Sequence, residues 1–155
     1  MMSQSPAASP LLDLLRQQGN GVLVTIKKDG RPQLSNVTFH FDEAERLVRV
    51  SATDSRAKTR NLRRDPRASF YVTTPDLVAY LVGEGEAELT PVAADPHDAT
   101  ADELVEVYRA IAGEHPDWEE YRAAMVADGR LVIRLRLDRA YGWGFAQGGT
   151  SGPLV

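Results

Sequence analysis

Residues 21–41 read Gly-Val-Leu-Val-Thr-Ile-Lys-Lys-Asp-Gly-Arg-Pro-Gln-Leu-Ser-Asn-Val-Thr-Phe-His-Phe. Gly21 to Ile26 is apolar and β-branched, Lys28-Asp29-Gly30-Arg31 supplies a turn, and Gln33 to Phe41 returns as a strand. An Asp-Gly pair between two such runs is the signature of a β-hairpin. In the second strand Leu34, Asn36, Thr38 and His40 share one face, and Gln33, Ser35, Val37, Phe39 and Phe41 share the other. Both faces mix polar and apolar groups, which points to a strand that lines a site.

Outward from this hairpin the strand signal recurs. Leu47 to Ala52 is a third strand, Ala68 to Thr73 a fourth, Leu77 to Leu89 a fifth with Gly83 and Gly85 as bulge points, and Leu131 to Leu137 a sixth whose Arg134 and Arg136 mark the exposed face. Helical spacing appears at Pro10 to Gln18, with Ser9 as cap and Gly19 as stop, and again at Ala99 to Ile111 and Trp118 to Ala127. Regular βαβ alternation is absent, so a doubly wound sheet is excluded. The pattern predicts a mainly β fold, a small antiparallel barrel of six or more strands with helical decoration.

At 155 residues and 43% hydrophobic, the chain makes one domain over residues 11–145. Residues 1–10 read as a disordered lead-in and 146–155, rich in Gly and Ser, as a flexible tail. The absence of cysteine removes thiolate metal sites and cysteine nucleophiles. His40, His97 and His115 stand at no zinc-ligand spacing, so no metal site is expected. No apolar run reaches the ~20 residues of a membrane span. The polar N-terminus lacks the pattern of a signal peptide, which predicts a cytoplasmic protein.

The strongest functional signal is Ser-Arg-Ala-Lys-Thr-Arg-Asn-Leu-Arg-Arg-Asp-Pro-Arg-Ala at 55–68. It holds six of the eighteen basic residues against a single acid, in a chain of net charge −4. Thr53, Asp54 and Ser55 are candidate caps for a helix that follows a strand, and a basic helix N-terminus is a ready oxyanion site. The alternative is a solvated amphipathic helix with Ala57 and Leu62 as its buried face. The acidic balance of the remainder argues against a nucleic-acid partner. The alternating Glu84, Glu86 and Glu88 and the acidic run from Asp95 to Glu106 read as solvated faces. Beyond His40, itself more simply a hydrogen-bonded and partly buried residue, no acid–base set and no catalytic residue stands out. Hydride transfer fits such a site, because there the cofactor carries the chemistry.

The run Asp29 to Val37, then Ser51, then 55–68, resembles the flavin/deazaflavin oxidoreductase superfamily of split β-barrels related to pyridoxamine 5′-phosphate oxidase. It is most similar to the actinobacterial B group that uses the deazaflavin coenzyme F420. The similarity runs from about Leu11 to Tyr141 and includes Tyr108 to Trp118. The resemblance implies an FMN-binding type of split barrel and an obligate homodimer with cofactor sites at the subunit interface. It implies that Gln33, Ser35 and Asn36 face the deazaflavin ring and that Val50 and Ser51 approach it. By the same resemblance Arg56, Ala57, Lys58 and Arg60 hold the phosphate and the polyglutamate tail. Pyridoxamine phosphate oxidases place an FMN-phosphate arginine where this chain has Asn36, which favours F420 over FMN; other relatives bind haem. The expected activity is hydride transfer from reduced F420 to a small conjugated substrate of enone, quinone or tetrapyrrole type, with Tyr141, Trp143 and Phe145 as possible walls of its pocket. The alternatives are an FMN-dependent oxidoreductase and a non-catalytic F420 carrier.

Overall fold

A computed structural model describes residues 8–145 and 148–153. The first helix, α1 (Ala8–Gln17), buries Leu12, Leu14 and Leu15. It begins at Ala8, so Ser9, the expected cap, falls within its span. Residues 1–7 lie outside the described residues.

The hairpin forms as read. Strand β1 (Asn20–Ile26) pairs antiparallel with β2 (Pro32–Thr38). Gly30 closes the turn at φ 88°, and its N–H bonds the Lys27 carbonyl at 2.9 Å. The expected single strand from Gln33 to Phe41 is broken at Phe39, and β3 (His40–Asp42) follows as a separate strand. Phe39 turns into the core edge-to-face on Phe70 at 4.8 Å, and its N–H is taken by the Gly19 carbonyl at 3.0 Å.

The remaining elements are β4 (Leu47–Thr53), α2 (Ala57–Arg64), β5 (Arg67–Thr73), β6 (Tyr80–Leu89), α3 (Ala99–Ala112), α4 (Trp118–Ala127), β7 (Arg130–Phe145) and β8 (Gly148–Pro153). The sheet order is β2-β1-β5-β6-β7-β4-β3, with β8 on the far end of β7, and every pairing is antiparallel. The two edge strands, β2 and β3, are neighbours in the chain. The curled sheet is thus joined at its seam by covalent chain and not by a strand ladder, which is what makes the barrel split.

Residues 148–153, part of the stretch read as a flexible tail, form β8 against β7; backbone pairing needs no apolar side chains, so composition does not reveal it. Gly85 marks a register shift between β6 and β7, as the sequence reading placed it. A Cβ there would stand 1.8 Å from the Arg136 carbonyl oxygen, so only glycine fits the bulge.

Two apolar clusters result. The barrel core gathers Leu23, Phe70, Val72, Leu81, Ile133 and Leu135 with the α1 leucines. A second cluster lies under the helix pair, where Leu104, Val107, Tyr121 and Met125 pack on Val132 from the opposite face of β7. Among the described residues no helix is long and apolar enough to cross a membrane.

Candidate functional site

Helix α2 is positioned by polar pins. The Thr59 hydroxyl donates to the Thr53 carbonyl at 2.9 Å, fixing the helix to the end of β4. The buried Asn61 amide donates to Thr25 Oγ1 at 3.0 Å and to Gln33 Oε1 at 2.9 Å, tying it to the hairpin. The helix N-cap is Arg56, and no side chain caps it, so Thr53, Asp54 and Ser55 do not play the expected part. Its buried residues are Thr59, Asn61 and Leu62; Ala57 is exposed, contrary to the amphipathic-helix expectation.

The basic cluster divides into two groups. Arg60 donates to the Ser55 carbonyl through Nε at 3.2 Å and Nη2 at 2.9 Å. Arg63 pairs with Asp54, Arg64 donates to the Ile26 carbonyl, and Arg67 grips Asp65. These four arginines are used within the protein. Arg56 and Lys58 make no ion pair or side-chain hydrogen bond among the described residues.

Lys58 faces a cleft of about 420 Å³. The floor is strand: Asn36, Val37 and Thr38 from β2, Val50 and Ser51 from β4. The wall is the second apolar cluster, with Tyr108 and Ile111 of α3 and Met125 of α4, and Arg130 closes the end at the start of β7. Burial pushes the Lys58 ammonium below the ordinary lysine range, and the nearby positive charges of Arg56 and Arg130 push it further the same way. Tyr121, also at the wall, is held above the usual tyrosine range by burial, and its hydroxyl donates to the Leu104 carbonyl at 3.1 Å.

The structure therefore brings Asn36, Val50, Ser51 and Lys58 together in one cleft. Gln33 and Ser35 lie on the opposite face of β2, where Gln33 is engaged with Asn61. Arg56, Ala57 and Arg60 stand outside the cleft lining. Tyr141 and Trp143 are exposed on the outer sheet face and do not line it. Sequence reasoning missed Arg130 and the wall of Tyr108, Ile111 and Met125. The Tyr108 to Trp118 motif was the one available signal for that wall, whereas Arg130 is a lone arginine that only the β4–β7 register brings opposite Thr53.

His40 behaves as the simpler reading had it. Its Nδ1 accepts from Arg49 at 2.9 and 3.3 Å, and burial first, then the Arg49 charge, lowers its pKa. The acidic run is not wholly solvated. Glu103 is buried and accepts from Arg134 Nε and Nη2, while Arg49 lies 3.6 Å from it and Arg134 Nη1 donates to Glu88 at 2.7 Å. Among the described residues no group of three or more His, Asp or Glu side chains is placed to hold a metal.

The family model for pyridoxamine 5′-phosphate oxidase matches residues 10–144. The chain belongs to this family. The pyridoxamine 5′-phosphate oxidase family is one of oxidoreductases, and the split barrel found here is its fold. One relative is the 5a,11a-dehydrotetracycline/5a,11a-dehydrooxytetracycline reductase of Streptomyces rimosus, 28% identical over 113 residues, which cover 66% of this chain and 78% of the reductase. An F420 reductase structure superposes with a TM-score of 0.63 at 28% identity, covering 83% of this chain and 93% of its own. A haem-binding protein from Mycobacterium smegmatis shares the fold, with a TM-score of 0.72 at 22% identity over 98% of this chain; the chain spans 60% of that protein's length.

Proposed function

We propose that this member of the family binds F420 in the cleft and transfers hydride from its reduced form to a small conjugated substrate. The observation that carries the reading is the two-ended chemistry of the cleft. One end offers Lys58 and Arg130, cations without a carboxylate at hydrogen-bonding distance. The other offers strand backbone, the Asn36 amide and an aromatic and aliphatic wall. A ligand with an anionic tail and a flat ring matches both ends. F420 supplies hydride chemistry when bound; the residues bind it, orient it and exclude water. Lys58 and Arg130 would neutralise the tail, Asn36 and Ser51 would hydrogen-bond the ring edge, and Val50 with Ile111 would shield its faces. Gln33, through Asn61, would hold β2 in register instead of touching the ring. Arg56 and Arg60, at the mouth, would meet the outer carboxylates of a polyglutamate tail, Arg60 by leaving its contact with Ser55.

The proposal extends to a homodimer. Tyr71, Tyr80, Val82, Tyr141 and Trp143 form an apolar band on the outer sheet face, with Leu77 and Val78 exposed at 70% and 61% beside it. A second cleft of about 400 Å³ shares Asn36, Val37 and Thr38 with the first and opens towards Tyr71 and Leu77. A second copy covering this band would complete the ring site from the other side of β2.

Fluorescence titration with F420 and with FMN tests the assignment. Micromolar or tighter F420 binding with FMN much weaker is expected, followed by oxidation of reduced F420 in the presence of menadione. The family's namesake uses FMN by resemblance, so the reverse preference would make this an FMN-dependent oxidoreductase. Tight F420 binding without turnover on enones and quinones would leave a carrier.

A further inference from the structure

Arg130 is the first residue of β7, and its backbone is fixed from both sides. It lies opposite Thr53 in the β4–β7 ladder, and the Asp54 N–H bonds the carbonyl of the preceding Gly129 at 2.9 Å. The side chain reaches the cleft, yet its hydrogen-bonding capacity is poorly used. Nε is shielded from solvent and has no hydrogen-bond partner among the described residues. Asp128 Oδ2 stands 3.9 Å from it, too far for a hydrogen bond, and the Nη1 contact with Ser51 Oγ is long at 3.4 Å. Other arginines of the fold behave differently. Arg134 spends Nε, Nη1 and Nη2 on Glu103 and Glu88, and Arg130 Nε is the one buried side-chain nitrogen without a partner among the described residues. A buried N–H without an acceptor is costly, and a bound acceptor recovers that cost.

We propose that Arg130 is a second anchor of the cleft, gripping an oxyanion of the ligand jointly with Lys58. This rests on reading the cleft as the cofactor site. A guanidinium presents two N–H groups along one edge, which matches the two oxygens of a phosphoryl or carboxylate group, while the lysine adds a point charge. The mutual repulsion of Lys58 and Arg130 across the cleft is relieved when an anion sits between them. The anchor is contributed by a strand, remote in sequence from the basic run, so it fixes the anion relative to the barrel floor and not merely to α2.

The test compares Arg130→Gln with wild type for two ligands, F420 and its phosphate-free deazaflavin riboside. Wild type is expected to bind F420 more tightly than the riboside. The variant should weaken F420 by about tenfold or more and leave the riboside unchanged. Equal losses for both ligands, or no loss for either, would overturn the anchor. Thermal unfolding of the free proteins checks that the variant folds. If it does not, Arg130→Lys replaces it, with a smaller loss confined to F420 expected and equal losses overturning. If wild type binds neither ligand nor FMN, the cofactor reading fails on its own and inorganic pyrophosphate decides. A rise in wild-type Tm that the variant lacks retains the anchor, and no rise rejects it.

Discussion

The two sides of α3 handle charge in opposite ways. On one side Arg49 from β4 and Arg134 from β7 face Glu88, Glu103 and Glu106, and the cations are matched by carboxylates. On the other side Lys58 and Arg130 face a cleft that brings no carboxylate within hydrogen-bonding distance of either. Both sets are partly withdrawn from water, where an unpaired charge is costly. The difference teaches where to look for a ligand. Charges that satisfy one another hold the fold, and charges left waiting mark the place where something else completes them.

Removing a carboxylate from the matched side should have the largest effect on stability. Glu103→Ala leaves Arg49 and Arg134 without their shared partner. The cost should be about 2–3 kcal/mol, below the range for a fully buried pair because Arg134 keeps 34% of its side chain exposed. Chemical denaturation reads it out, and F420 affinity should change little. A loss of affinity as large as the loss for the cleft cations would dissolve the distinction between the two sides.

The converse substitution, Arg56→Ala with Lys58→Ala, should raise the Kd for F420 about tenfold or more while Tm stays level or rises. Unchanged binding would place these cations on the structural side after all.

The smallest effect is in pH. The folded Lys58 pKa lies below the 10.5 of a solvated lysine, so it loses its proton earlier as pH rises. In the free protein that depression disfavours the folded state while Lys58 is charged in both states. The penalty is relieved as pH climbs through the folded pKa towards 10.5. For the anionic ligand the sign is opposite: affinity should weaken by a few-fold over the same window, with Arg130 still charged, and Lys58→Ala should flatten that slope. A slope that persists in the variant would assign the titration to another group.

Much of the barrel was legible because its signals are local. The Asp-Gly turn, the alternation of Arg134 and Arg136, and Gly85 at the bulge each act over a few residues. The long helices came through for the same reason, with apolar positions at helical spacing; the caps Asp98 and Asp117, which accept at their N-termini, were not picked out. What stayed hidden depends on distant pairing. Nothing near Glu103 says that Arg134 lies against it, 31 residues away. Nothing near Arg130 says that Ser51 and Lys58 share its cleft. The basic run pointed to the right helix but could not tell Lys58, which faces the cleft, from Arg60, which bonds its own loop. Strand β8 is held by backbone pairing that its glycine-rich composition does not announce.

The helix pair keeps its own apolar cluster, joined to the barrel chiefly through Val132. Two cores of unequal size need not loosen together. The smaller one, with fewer buried contacts to lose, opens at lower free energy, and slow amide exchange would be deepest in β1, β5, β6 and β7 and shallower in α3 and α4. The wall over the cleft would then be a separate cooperative unit, able to swing aside for a bulky guest while the floor beneath it stays folded.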